Sequence, residues 1–252
     1  MKKILLLDRR VVTALVCALC AAAMLAVVNA PAAVTAGGTQ RQLPIYCVER
    51  DQKMVSLSFD AAWGNEDTQQ LIDILGKYGV KATFFVVGEW VDKYPESVKA
   101  LSDAGHEVMN HSDTHPHMAK LTAEQVRAEV TACNDKIEKV TGRRPTLIRP
   151  PYGEYDDKVV LAIRGMDMEP IQWDVDSLDW KDLSAGEITR RVTSKVAPGS
   201  IVLFHNAAKH TPEALPAILE NLIQQGYTCV PVSQLILPQP YTIDHTGKQH
   251  KG

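Results

Sequence analysis

Residues 53–87 read KMVSLSFDAAWGNEDTQQLIDILGKYGVKATFFVV, and the apolar period changes twice along them. Residues 53–59 alternate with β-forming residues and predict a strand that delivers Asp60 at its end. After Asp67, the residues Leu71, Ile74, Leu75 and Tyr78 recur on one helix face, and Gly79 stops that helix. Residues 82–87 are then almost wholly apolar, as a strand buried on both faces would be. A strand, a helix and a second buried strand in succession form the unit of a parallel sheet.

The same alternation extends outward. Upstream, residues 45–50 predict a further strand, joined to 53–59 at Asp51 and Gln52. Downstream, Pro95 opens a helix that ends at Gly105, and residues 106–110 form a strand. Thr122 and Gln125 make a capping box before a helix carrying Val126, Val130, Cys133, Ile137 and Val140, stopped by Gly142. Strand 146–149, helix 156–164 and strand 168–173 follow. A second capping box, Ser184 with Glu187, precedes strand 200–205. The last long helix starts at Thr211-Pro212 and stops at Gly226, with a final strand at 227–230. From Pro238 the chain is polar and is expected to fray, with His245 and His250 in solvent. Six or seven strand–helix repeats predict a parallel α/β architecture. A distorted β/α barrel fits better than a dinucleotide-binding sheet, because no glycine fingerprint follows the first strand.

Among the 252 residues, a hydrophobic fraction of 45% is ordinary for one globular domain, and a formal charge of −3 gives no reason to expect nucleic-acid binding. The beginning stands apart. Lys2, Lys3, Arg9 and Arg10 precede an uncharged apolar run over residues 11–28, long enough for a membrane-spanning helix. This predicts a signal anchor that leaves the rest of the chain outside the cytoplasm. Cleavage after Val34-Thr35-Ala36, giving a secreted protein, is the alternative. The expected organisation is a signal peptide or anchor over 1–30, a linker over 31–44, the α/β domain over 45–237 and a polar tail over 238–252. Cys47, Cys133 and Cys229 show no metal spacing and read as small buried residues.

The ionisable residues collect where such a fold builds sites. Asp60, His111 and His115, Arg149, the group Asp174, Asp176 and Asp179, and His205 all lie at the carboxyl ends of predicted strands, which share one face in a β/α barrel. His111 and His115 have a spacing that lets two imidazoles reach one metal ion, and nitrogen donors suit zinc and its neighbours. A polar surface loop would account for them equally well taken alone. Asp60 reads as a helix cap or as a general base, and His205 as a core histidine or as a general acid. Arg149-Pro150-Pro151-Tyr152-Gly153 reads as a rigid turn or, through Arg149, as a holder of carboxylates by paired hydrogen bonds. Trp63, Tyr152 and Trp180 offer flat apolar surface for a sugar ring.

Taken in order, Ser58-Phe59-Asp60, His111-Ser112-Asp113-Thr114-His115-Pro116, Arg149-Pro150-Pro151-Tyr152-Gly153, Asp176-Ser177-Leu178-Asp179-Trp180 and Leu203-Phe204-His205 resemble the five motifs of NodB-type polysaccharide deacetylases (carbohydrate esterase family 4). The string from Ser58 to Gly64, behind an N-terminal anchor, is most similar to the sporulation-associated subgroup. The resemblance implies a metal-dependent hydrolase that removes acetyl groups from amino sugars of cell-wall glycan, most of all peptidoglycan. It implies that His111 and His115 hold a divalent ion, zinc or alternatively cobalt or manganese. It further implies Asp60 as base, His205 as acid, Asp179 tuning His205, Arg149 positioning Asp60, and the Tyr152 backbone N–H as oxyanion donor. Leu203, Trp63, Tyr152 and Trp180 would contact substrate. Membrane attachment would come through the N-terminal segment, and no segment points to a protein partner.

One position departs from the family. Ala61 stands where a second acidic residue serves as third metal ligand, and a methyl group coordinates nothing. Asp60, Asp113, Asn110 or water are the candidates to fill that place. Two other readings follow: a glycan-binding relative without turnover, and a barrel glycosidase pairing Asp60 with a fourth-motif aspartate. The second leaves the two histidines unexplained.

Overall fold

The computed structural model describes residues 41–252. The expected N-terminal apolar helix, its signal or anchor role and linker residues 31–40 lie outside the described residues. No helix among the described residues is long and apolar enough to cross a membrane.

Among the described residues eleven strands follow one another: β1 (Cys47–Val48), β2 (Met54–Ala61), β3 (Thr83–Val86), β4 (Glu107–Asn110), β5 (Leu147–Ile148), β6 (Glu169–Pro170), β7 (Val175–Asp176), β8 (Ile201–His205), β9 (Thr228–Cys229), β10 (Tyr241–Ile243) and β11 (Lys248–Lys251). The main sheet runs β6-β5-β4-β3-β2-β8-β7, with β9 pairing the start of β2, and its paired strands are parallel. Between them lie the helices Thr68–Lys77, Pro95–Asp103, Ala123–Thr141, Asp157–Arg164, Ala185–Thr193 and Thr211–Gln224. Both predicted capping boxes are formed, at Thr122 with Gln125 and at Ser184 with Glu187.

The sheet is curled into an incomplete barrel, and chain length requires it. Strands β6 and β7 occupy opposite edges, yet residues 171–174 alone connect them. Laid flat, seven strands spaced about 4.8 Å apart would separate those edges by roughly 29 Å. So short a segment spans no more than about 18 Å fully extended. Of the strand predicted over 168–173, only β6 forms; residues 171–173 belong to this crossing, and β7 follows it.

Alternation along β2 separates core from chemistry. Val55, Leu57, Phe59 and Ala61 point outward into one apolar cluster with the helices, each at most 1% exposed. Phe59 stacks on Phe84 and on Phe204, with ring centroids at 4.8 and 5.2 Å. Ser56, Ser58 and Asp60 point to the other face, where each finds polar partners. The serines that interrupt the apolar run thus line the interior, which they share with Phe85, Ile201 and Leu203.

Two expectations need correction. Residues 45–50 and 53–59 are not a paired hairpin: β1 pairs in parallel with β11, Cys47 opposite Lys248. Nor do residues 238–252 fray as a polar tail. β10 and β11 form an antiparallel hairpin that builds a three-stranded sheet with β1. Gln249 is fully buried there, its side-chain amide donating to Leu237 O at 3.0 Å and accepting from Leu237 N at 2.7 Å. His250 lies between Glu49 and Asp244, at 3.1 and 3.0 Å, whereas His245 is exposed as expected. Helix Gly88–Lys93, which was not predicted, buries Trp90 and turns its indole N–H onto Gly64 O at 3.0 Å.

Candidate active site

The strand ends converge as the periodicity required. A cavity of about 450 Å³ is lined by Asp60, Trp63, His111, His115, Tyr152, Trp180, Leu203 and His205, together with Ala62, Gly153, Trp173 and Asp176. Arg149 and Asp179 stand behind this lining, 0% and 2% exposed. Asp174 is not part of it; its carboxylate accepts from Ser200 Oγ and Ile201 N at 2.7 and 2.8 Å.

Asp60 is the next-to-last residue of β2, its Oδ1 accepting from Arg149 Nη1 at 2.7 Å. The guanidinium also donates to Ser58 Oγ at 2.8 Å and Gln172 O at 3.2 Å, and lies 4.3 Å from the Phe85 ring centroid. Burial alone would raise the Asp60 pKa, but Arg149, with His111 and His205, outweighs it and holds the carboxyl below the usual carboxylate range. Asp60 is therefore a carboxylate with one oxygen held and one turned to the histidines: Oδ2 is 3.5 Å from His111 Nε2.

His205 is organised in the opposite sense. Asp179 Oδ1 lies 2.8 Å from its Nδ1, and Asp179 Oδ2 accepts from its backbone N at 2.8 Å and from Thr211 Oγ1 at 2.7 Å. Burial opposes the imidazolium, yet the hydrogen bond and charge of Asp179 prevail and raise His205 above the ordinary histidine range. A proton acceptor and a proton donor thus face one cavity.

The surroundings of the paired histidines favour their neutral forms. Burial lowers the pKa of His111, and burial with His111 beside it pushes His115 down to about 4. His111 Nδ1 donates to Arg149 O at 2.6 Å, which leaves Nε2 with a lone pair. Such an outer partner is the usual support of a metal-ligating imidazole. The two imidazole rings lie 4.9 Å apart, so both fit one divalent ion.

The third place is another matter. Among the described residues no group of three His, Cys, Asp or Glu is arranged to hold an ion. Ala61 is packed in the outer apolar cluster. Two of the candidate substitutes are committed elsewhere: Asp113 Oδ1 pairs with Lys136 Nζ at 2.6 Å, and Asn110 binds Asn134, Val130 O and Ser112 N. Of the side chains considered, only Asp60 remains beside the imidazoles.

Several contributors were invisible as motifs. Asn206, 2% exposed, accepts from Ala62 N and donates to Gly64 O, bracketing Trp63, whose ring centroid is 5.7 Å from that of His205. Glu129 fixes the loop between the histidines by accepting from Asp113 N and Thr114 N, both at 2.9 Å. Position directly after His205 is the only signal that marks Asn206; Glu129 has none.

Residues 48–171 match the polysaccharide deacetylase family model. The chain is 32% identical to the peptidoglycan-N-acetylmuramic acid deacetylase PdaA of Bacillus subtilis, over 76% of this chain and 74% of that one. It belongs to the polysaccharide deacetylase family. The peptidoglycan-N-acetylmuramic acid deacetylase PdaC of Bacillus subtilis is 39% identical over 75% of this chain, which spans 40% of PdaC's own length. The crystal structure of a CE4 family pseudoenzyme from Bacillus anthracis is also similar: TM-score 0.74 and 38% identity, covering 77% of this chain and 69% of that one. The incomplete barrel is this family's fold, and the named deacetylases among the relatives are hydrolases.

Proposed function

We propose that the chain removes acetyl groups from the amino sugars of cell-wall glycan, with peptidoglycan as the substrate. The observation that carries this reading is the pairing of a depressed carboxylate, Asp60, with a raised histidine, His205, on one aromatic-lined cavity. Asp60 takes a proton from water as its oxygen attacks the acetamido carbonyl. The Tyr152 N–H, which meets no acceptor among the described residues, donates to the oxygen that becomes negative. His205 gives its proton to the sugar nitrogen as the C–N bond breaks, releasing acetate and the free amine. Arg149 orients Asp60 and favours its ionised form, and Asp179 favours the charged form of His205. His111 and His115 would hold a divalent ion, whose Lewis acidity toward carbonyl and water oxygens is the chemistry it supplies. Zinc suits two imidazoles best, with cobalt and manganese as alternatives.

The likeness of the Ser58–Gly64 string to the sporulation subgroup supports a role in that process. The basic and apolar N-terminus supports action at the outer face of the cell membrane, anchored there or secreted. A second reading, glycan binding without turnover, is favoured by Ala61 and by the lack, among the described residues, of a group of three ligating side chains. Acetate release from purified peptidoglycan, after chelation and with zinc, cobalt or manganese restored, separates the two. The first reading expects metal-restored release, lowered at least about 100-fold in Asp60→Asn and His205→Ala. No release with any metal, from folded protein that still binds the glycan, establishes the second.

A further inference from the structure

Tyr152 holds a backbone conformation that side chains disfavour, φ 61° and ψ 4°, and Gly153 follows at φ 67°. It is also 56% exposed, so burial does not hold it in place. What touches it is a pair of histidine rings. The His115 ring meets it edge-on with centroids 4.6 Å apart, and the His117 ring lies parallel to it at 4.5 Å and 17°. His117 is itself fixed, because its Nδ1 is 2.8 Å from Glu154 Oε2. Glu154 belongs to the same turn as Tyr152, its N bonded to Pro151 O at 3.1 Å.

We infer that His117, oriented by Glu154, is a positioning residue that clamps Tyr152 in its left-handed conformation and so aims the free Tyr152 N–H into the cavity. The loop after β4 and the turn after β5 are joined through this stack of three rings. His117 touches no reacting atom; it acts through the tyrosine. Asp113 and Glu129 fix the other end of the histidine loop onto helix Ala123–Thr141, so the stack rests on an anchored base.

The kinetic side of this inference rests on the deacetylase reading; the structural side does not, and one experiment reads both. The full chain is labelled with 15N-tyrosine, and the Tyr152 amide signal is assigned by its loss in Tyr152→Phe. In His117→Ala the Tyr152 amide is expected to lose order, seen as a lowered heteronuclear NOE. Under the deacetylase reading, kcat falls about tenfold with KM little changed, part of the loss that follows removal of such a donor. His117→Phe keeps a flat ring for stacking and is expected to restore both. The His117 side chain is 45% exposed, so both variants are expected to fold, and a thermal melt checks this. A Tyr152 amide in His117→Ala that is as ordered as in the parent overturns the inference, whether or not the chain releases acetate.

Discussion

Asp60 and His205 are register partners on the adjacent parallel strands β2 and β8. Neighbouring strands lie about 4.8 Å apart, and paired residues point to the same face. The separation of proton acceptor and proton donor is therefore set by the sheet ladder, while loops supply only the histidine pair, Tyr152 and the aromatic rim.

Arg149 is fully buried and its charge is balanced by Asp60. Replacing it with Met leaves the carboxylate buried without its partner, a change that costs about 3–5 kcal/mol in comparable pairs. Urea unfolding of Arg149→Met should show this loss, and the double variant Arg149→Met with Asp60→Asn should recover part of it. A midpoint unchanged in the single variant would mean that the ion pair does not support the fold.

Ala61→Asp places a carboxylate at the family's third-ligand position, from which it reaches the imidazoles by turning out of the outer apolar cluster that Ala61 now packs in. Zinc binding by calorimetry should tighten at least about tenfold, in line with the effect of altered ligation elsewhere. Acetate release should rise with it. Equal affinity in parent and variant would show that the new carboxylate stays in the outer cluster or that Asp60 or water already completes the sphere.

His106 gives the fold a pH dependence remote from the cavity. It is 3% exposed, and Nδ1 accepts from Ala82 N at 3.2 Å, so the folded protein keeps it neutral. Burial, with Lys81 nearby, pushes its pKa down to about 4. Between that value and the ordinary 6.5 the unfolded chain binds more protons, so stability rises with pH. As pH falls from about 6.5 to 4, up to about 3 kcal/mol is lost. His106→Asn keeps an acceptor for Ala82 N and should flatten this part of the stability–pH curve. A curve unchanged in that variant would assign the slope to other groups.

Gln249 bonds both backbone groups of Leu237 from a fully buried position. Gln249→Ala leaves an N–H and a C=O without partners and should lower stability by about 2 kcal/mol in thermal or urea unfolding. Truncation after Leu237 should cost more, since β1 then loses its only paired strand among the described residues. A truncated chain as stable as the parent would return residues 238–252 to the status of a tail.

The unequal legibility of these parts has physical causes. β2, β3 and β8 and the two capped helices were legible because burial on both faces and capping chemistry leave dense local signals. The motif residues were legible as chemistry at strand ends. The β10–β11 hairpin was not, because it is held by backbone pairing and by one buried glutamine, and neither produces an apolar pattern. The β6–β7 crossing was hidden because the short segment from Met168 to Trp173 reads as one strand whether or not the chain turns within it. Asn206, Glu129 and His117 act through geometry that links distant segments, which no single stretch displays.

Ser112, His115, Tyr152, Leu178, Asp182 and Ala207 all take left-handed backbone without being glycine, and all six lie in segments that follow the carboxyl ends of the sheet strands. Each holds back part of the stability that a glycine there would release. A lineage under selection for heat resistance would thus meet its easiest gains in the loops that shape turnover, so thermal adaptation and catalytic refinement compete for the same six positions.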